Sequence, residues 1–165
     1  MKIRAKELEK GSKFDIIKKG DWIDLRAAET LEFAVPKYLY KEKRVVFDSK
    51  VIKLGVAMKL PGGLEAIVVA RSGLYKVHPV LVRNSLGIID NSYSGNTDEW
   101  KLPLIAMGAT TITQGEKICQ FRVQLSQKAT MLQKIKWLFT SSVKVEWVDT
   151  LDTINRGGFG STGIK

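Results

Sequence analysis

Nowhere does this chain of 165 residues sustain a long apolar run: short β-branched segments near period two alternate with glycine- and proline-marked turns along most of its length. Phe14-Asp15-Ile16-Ile17, Ile23-Asp24-Leu25, Val51 to Val56 and Leu64 to Val69 read as strands, and further strands are expected at 86–90, 101–107, 117–125 and 143–148. Lys19-Gly20, Pro61-Gly62-Gly63, Arg71-Ser72-Gly73 and Gln114-Gly115-Glu116 supply the turns between them. Many short strands at this spacing predict an all-β sandwich or barrel. One stretch departs from the pattern. Met131, Leu132, Ile135, Leu138 and Phe139 recur at helical spacing and predict one amphipathic helix over 129–139. The last residues, Arg156 to Gly163, are almost all small and are expected to form a mobile tail rather than core, so the chain divides into a β-domain, 1–154, and a tail, 155–165.

With 44% hydrophobic and 27% charged residues, the chain has the composition of one folded domain, and disorder and collagen-like repeats are excluded. A single cysteine, Cys119, cannot form an intrachain disulfide, and the start lacks a positive-then-apolar leader, so a reducing, cytoplasmic setting is expected. The apolar runs are too short for a membrane-crossing helix. His78 is the only histidine, which leaves a Ser-His-Asp triad dependent on that residue and a Cys/His zinc site short of ligands.

The 27 Lys+Arg against 17 Asp+Glu give a net charge of +10. Basic residues cluster as seven in 1–20, seven in 37–59, and Lys128, Lys134, Lys136 and Lys144. Because they are interleaved with apolar residues, solvated strand faces and protected edges are the favoured reading over a nucleic-acid groove, with phosphate attraction left open.

Three turns, at Arg71-Ser72-Gly73, Gly115 to Gln120 and Arg156 to Thr162, offer backbone N–H groups, hydroxyls and guanidinium forks of the kind that hold polyphosphate oxygens. Each alone also suits an ordinary turn. A fourth segment, Gly87-Ile88-Ile89-Asp90-Asn91-Ser92-Tyr93-Ser94-Gly95, ends an apolar strand in a carboxylate, with an aromatic three residues later.

Taken in order, Asp24-Leu25-Arg26-Ala27-Ala28, Arg71-Ser72-Gly73-Leu74, Gly87 to Gly95, Gly115-Glu116-Lys117-Ile118-Cys119-Gln120 and Gly158-Phe159-Gly160-Ser161-Thr162-Gly163 resemble the five motifs of the trimeric dUTPases. Asp98-Glu99-Trp100 resembles the branch found in Gram-positive bacteria and their phages. The resemblance implies a jelly-roll-like β-barrel and a homotrimer with shared active sites: motifs one, two and four from one chain, three from a second and five from a third. It implies hydrolysis of dUTP to dUMP and diphosphate with Mg²⁺.

By the same resemblance, Asp90 is the base that activates water for attack on the α-phosphorus, and Tyr93 stacks under the deoxyribose and excludes a 2′-hydroxyl. Main-chain groups around Ile88, Ile89 and Asp90, with Asn84, read the uracil edge. Arg71, Ser72 and Gly73 hold the α- and β-phosphates, Gln120 donates to a phosphate oxygen, Ser161 and Thr162 reach the γ-phosphate, and Phe159 stacks on uracil. Asp24 accepts from a water of Mg²⁺. Two departures stand out: Ile154 occupies the usual place of a tail arginine while Arg156 sits three before Phe159, and the helix at 129–139 is absent from minimal family members. The helix is expected to cover an edge or a neighbouring subunit. The alternatives are a dCTP deaminase-like enzyme, for which no glutamate-centred site is evident, and a non-catalytic nucleic-acid-binding or regulatory β-module.

Overall fold

The computed structural model describes residues 1–16, 20–139 and 142–158. In chain order its strands are β1 (Lys2–Glu7), β2 (Ile23–Arg26), β3 (Leu31–Phe33), β4 (Lys37–Leu39), β5 (Arg44–Val46), β6 (Ser49–Lys59) and β7 (Leu64–Ala70). After a one-turn helix, α1 (Leu74–Val77), come β8 (Val80–Val82), β9 (Gly87–Ile89), β10 (Glu99–Ala106), β11 (Thr110–Ile112) and β12 (Lys117–Leu125). Helix α2 (Met131–Leu138) and β13 (Lys144–Trp147) complete the set. A five-stranded sheet, β13-β1-β6-β10-β8, and a four-stranded sheet, β2-β12-β7-β9, enclose the core, with two-stranded ribbons β11-β3 and β4-β5 beside them. This is the all-β, jelly-roll-like architecture expected.

Alternation drives the packing. Along β10, Trp100, Leu102, Leu104 and Ala106 point inward, while Lys101, Pro103 and Ile105 lie on the other face. Across the interior, Trp100 meets Phe121 of β12 edge to face at 5.1 Å, joining the two sheets. Gly55 gives β6 its one left-handed backbone position, φ +66°, where a Cβ would lie 2.0 Å from the Ser12 hydroxyl oxygen.

Two expectations need correction. Residues 14–16 are not a strand: Phe14 alone is buried, packing edge to face on Phe121 and Trp147, whereas Asp15 and Ile16 are exposed. One inserted aromatic had mimicked an alternating pattern. Besides the expected helix there is also α1, whose four residues are too few to display a helical period.

Helix α2 begins at Thr130, whose hydroxyl accepts from the Gln133 amide at 3.3 Å while the Gln133 side chain accepts from the Thr130 amide at 2.8 Å. Its apolar stripe, Met131, Leu132, Ile135 and Leu138, is exposed in the single chain, and Trp137 packs against the core. Trp137→Ser therefore removes packing from beneath the helix and lowers stability by about 2 kcal/mol, read as a lower urea midpoint at unchanged slope. No helix among the described residues is long and apolar enough to cross a membrane.

Candidate active site

The sequence-predicted residues fall into two groups on one chain. The first surrounds the end of β9. This strand pairs with β7 through Gly87↔Val68, Ile88↔Ile67 and Ile89↔Ala66, and lies at the edge of its sheet. Its outer side carries main-chain N–H and C=O groups with no strand partner among the described residues, which suits recognition of a planar hydrogen-bonding edge. A cavity of about 300 Å³ opens there, lined by Asn84, Gly87, Ile88, Ile89, Asp90 and Tyr93, by Glu99 to Pro103 of β10, and by Arg156, Gly157 and Gly158.

Asp90 follows β9 directly and starts a turn: its Oδ1 accepts from the Ser92 amide at 2.8 Å and from the Ser92 hydroxyl. Its Oδ2 accepts from Arg156 Nη1 at 2.6 Å, an ion pair with both side chains roughly half exposed. Burial pushes the Asp90 carboxyl up, but the two Ser92 bonds and the Arg156 guanidinium outweigh it and hold the group below the ordinary carboxylate value. Asp90 is thus ionised at neutral pH, able to accept a proton. Tyr93 donates its hydroxyl to the Glu99 carbonyl at 2.8 Å. Burial first, then the charges of Asp98 and Glu99, raise its pKa, so it presents a neutral ring to the cavity.

The second group lies on β2, β12 and α1. Asp24, nearly buried, receives Arg71 Nε at 2.9 Å and Lys117 Nζ at 3.1 Å, and Gln120 stands opposite it in the β12–β2 register. Ser72 and Gly73 are exposed at the start of α1. Arg26 Nη1 donates to the Gly115 carbonyl at 2.7 Å, fixing the turn before β12. Asp24, Arg71, Ser72, Gly73 and Gln120 do not line the β9 cavity. One chain therefore carries an edge strand with its carboxylate in one group and a cationic, hydroxyl-bearing cluster in another.

Metal-binding capacity is confined to sparse oxygen donors: no cluster of three or more His, Cys, Asp or Glu suited to a metal exists among the described residues. A lone Asp24 carboxylate, already flanked by two cations, fits an ion held chiefly by substrate oxygens and waters, as Mg²⁺ is, and not an all-protein cage. Phe159, Ser161 and Thr162 lie outside the described residues.

Sequence reasoning missed two supporting elements. Asp98, buried, accepts main-chain N–H groups from Gly95, Arg156 and Gly157 at 2.8–3.1 Å. His78, also buried, joins Thr110 Oγ1 through Nδ1 at 2.8 Å and Glu116 Oε2 through Nε2 at 2.7 Å, tying the residue after α1 to the turn before β12. An acid one residue after the Gly115 turn and a solitary histidine just after the Ser72-Gly73 turn were the available signals for the second.

The Arg156 pair has a measurable signature. Because it helps depress the Asp90 pKa, ionised Asp90 survives to lower pH in the intact chain. If Asp90 sets the acid limb of the kcat/KM profile, Arg156→Ala moves that limb to higher pH, with a plateau loss of about 10-fold expected if Arg156 also contacts phosphate. An acid limb at the wild-type position in the variant assigns that limb to another group.

Comparison with known proteins places these features in context. A model of the family described as dUTPase matches residues 31–163. The SPbeta prophage-derived deoxyuridine 5'-triphosphate nucleotidohydrolase YosS of Bacillus subtilis strain 168 is 40% identical over 166 residues, covering 100% of both chains. The Staphylococcus bacteriophage 80alpha dUTPase, solved as a mutant with dUpNHpp, aligns with a TM-score of 0.62 at 18% identity, over 78% of this chain and 93% of its own. A mutant dUTPase from phage phi11 of S. aureus, described as revealing the coordination of a structural Mg(II) ion, aligns with a TM-score of 0.62 at 16% identity, over 78% and 94%. The two structures are similar in fold.

Proposed function

This chain belongs to the dUTPase family, and from that premise we propose how its residues divide the work of hydrolysing dUTP to dUMP and diphosphate. The enzyme is a dUTP diphosphatase. Asp90 is the base: it orients and deprotonates a water for attack on the α-phosphorus. The observation that carries this assignment is an ionised carboxylate at the end of an edge strand, braced by Ser92 and Arg156, on the wall of a cavity that also holds Asn84 and Tyr93.

Main-chain groups around Ile88, Ile89 and Asp90, with Asn84, take the uracil edge. A hairpin this narrow disfavours thymine's methyl group and leaves polar atoms unpaired against cytosine. Tyr93 packs beneath the deoxyribose and rejects UTP by contact. Arg71, Ser72, Gly73 and Gln120 hold the phosphates. Phe159 covers the base, and Ser161 and Thr162 reach the γ-phosphate.

These phosphate-holding residues do not line the β9 cavity of the same chain, so a complete site brings one chain's Asp24–Arg71 surface to another's cavity; the assembly that the family resemblance implies for this is a homotrimer. Mg²⁺ is the cofactor. When bound with the triphosphate it neutralises phosphate charge, and Asp24 holds it through a water. A cytoplasmic setting agrees with Cys119, a buried free thiol whose pKa burial, then the Asp24 charge, push up. Diphosphate release measured across dUTP, dTTP, dCTP and UTP, with and without Mg²⁺, tests the reading. Turnover is expected with dUTP and Mg²⁺ alone, and ammonia release from dCTP would overturn it.

A further inference from the structure

The only histidine of the chain stands at a junction of three segments. His78 is buried and closes α1, its amide donating to the Leu74 carbonyl at 2.9 Å. Four residues give α1 little hold of its own: Leu74 is its one buried residue, while Tyr75 and Val77 are exposed. The imidazole supplies a second anchor. Nδ1 meets Thr110 Oγ1 at 2.8 Å, where β11 begins, and Nε2 meets Glu116 Oε2 at 2.7 Å, in the turn that follows β11. One ring therefore grips both ends of the segment 110–116. The other Glu116 oxygen accepts from the Thr113 amide at 3.0 Å, so the same carboxylate shapes the turn and joins it to His78.

The turn is fastened to a third segment as well. The Gly115 amide donates to the Ala27 carbonyl and the Ala27 amide to the Glu116 carbonyl, both at 2.8 Å, and just beyond the turn the Ile118 carbonyl accepts from the Arg71 amide at 3.2 Å. Burial pushes the Glu116 carboxyl up, but the bonds from His78 and Thr113 outweigh it, so the group is ionised and can only accept. Nε2 of His78 consequently carries a proton. We propose that His78 is the positioning residue of the phosphate-holding surface: through Thr110 and Glu116 it fixes the Ser72–Gly73 turn against the Gly115 turn, so that Ser72 and Gln120 address the same polyphosphate. The inference deepens the reading in which Arg71, Ser72, Gly73 and Gln120 hold phosphate, and rests on it.

Affinities for two ligands test it. His78→Phe keeps a ring in place and removes both bonds; Glu116→Ala breaks the link from the other side, should the former fold poorly. In either variant a non-hydrolysable dUTP analogue should bind about 10-fold more weakly by calorimetric titration, while deoxyuridine, which carries no phosphate, inhibits as it does the wild type. With the analogue affinity, kcat/KM falls. A general loss of structure would weaken both ligands alike; that result, or unchanged analogue affinity, overturns the proposal. Arg71→Ala is the control. Unchanged analogue affinity there contradicts the phosphate reading itself, whereas a loss there beside wild-type binding in His78→Phe contradicts the positioning role alone.

Glu116→Gln is the conservative counterpart. Its amide can donate to Nε2 and its carbonyl accept from Thr113, provided the imidazole proton moves to Nδ1 and is donated to Thr110 Oγ1. Analogue affinity should then stay within about twofold of wild type. Because His78 is the only histidine, the nitrogen-15 spectrum of the tag-free protein reads that proton directly, on Nε2 in the wild type and on Nδ1 in the variant. A Glu116→Gln protein as impaired as Glu116→Ala would show that the turn needs the glutamate charge and not its bond to His78, and would overturn the proposal.

Discussion

Replacing Asp90 with asparagine is expected to lower kcat by at least ~10² while dUTP still binds. The amide keeps the shape of the carboxylate and one acceptor for the Ser92 turn, so the cavity survives. What it loses is the proton acceptor and the ion pair to Arg156. Calorimetric titration with a non-hydrolysable dUTP analogue separates binding from chemistry: affinity within a few-fold of wild type beside collapsed turnover is the predicted pattern. Near-full turnover in the variant would remove Asp90 from the mechanism.

Ending the chain at Ile154 is the second large effect. Residues beyond that point contribute no buried side chain among those described, whereas Leu151 is retained, so the β-domain stays folded with little change in its thermal midpoint. On the roles proposed for them, Arg156, Phe159, Ser161 and Thr162 leave together, and hydrolysis should fall by about 10² or more for want of base cover and γ-phosphate contacts. With uracil read by the outer edge of β9, as proposed, dUMP binding should be weakened far less than turnover. A truncated chain with wild-type turnover would show that motif five takes no part in catalysis.

Much of this architecture was legible from alternation alone. The strands β6, β7, β10 and β12 carry long alternating or nearly continuous apolar patterns, and two sheets must face each other to bury them. β1 escaped notice for a physical reason: Ile3 and Ala5 point inward, but Lys2, Arg4 and Lys6 on its other face read as a basic run. Lys2 pairs with Glu146 and Arg4 with Asp152, contacts between residues far apart in sequence that no local pattern reveals.

The site was legible unevenly. Asp90 and Tyr93 stood out because a carboxylate ending an apolar strand before an aromatic is unusual enough to notice. Their assignment to a reaction came from the motif order as a whole. Asp98 was invisible as a functional residue because its partners are main-chain amides, which carry no residue identity, and two of them lie about sixty positions downstream. The Asp24–Arg71 pair was hidden similarly: each residue was expected to face phosphate or metal, and neither spacing nor composition says that the two meet.

The reaction proposed for this site is attack of water on the α-phosphorus, and the fate of the water oxygen tests it most directly. Hydrolysis of dUTP by the wild-type enzyme in heavy-oxygen water, followed by mass spectrometry of both products, should place the label in dUMP and leave the diphosphate unlabelled. Label in the diphosphate would mean attack at the β-phosphorus and would contradict the account.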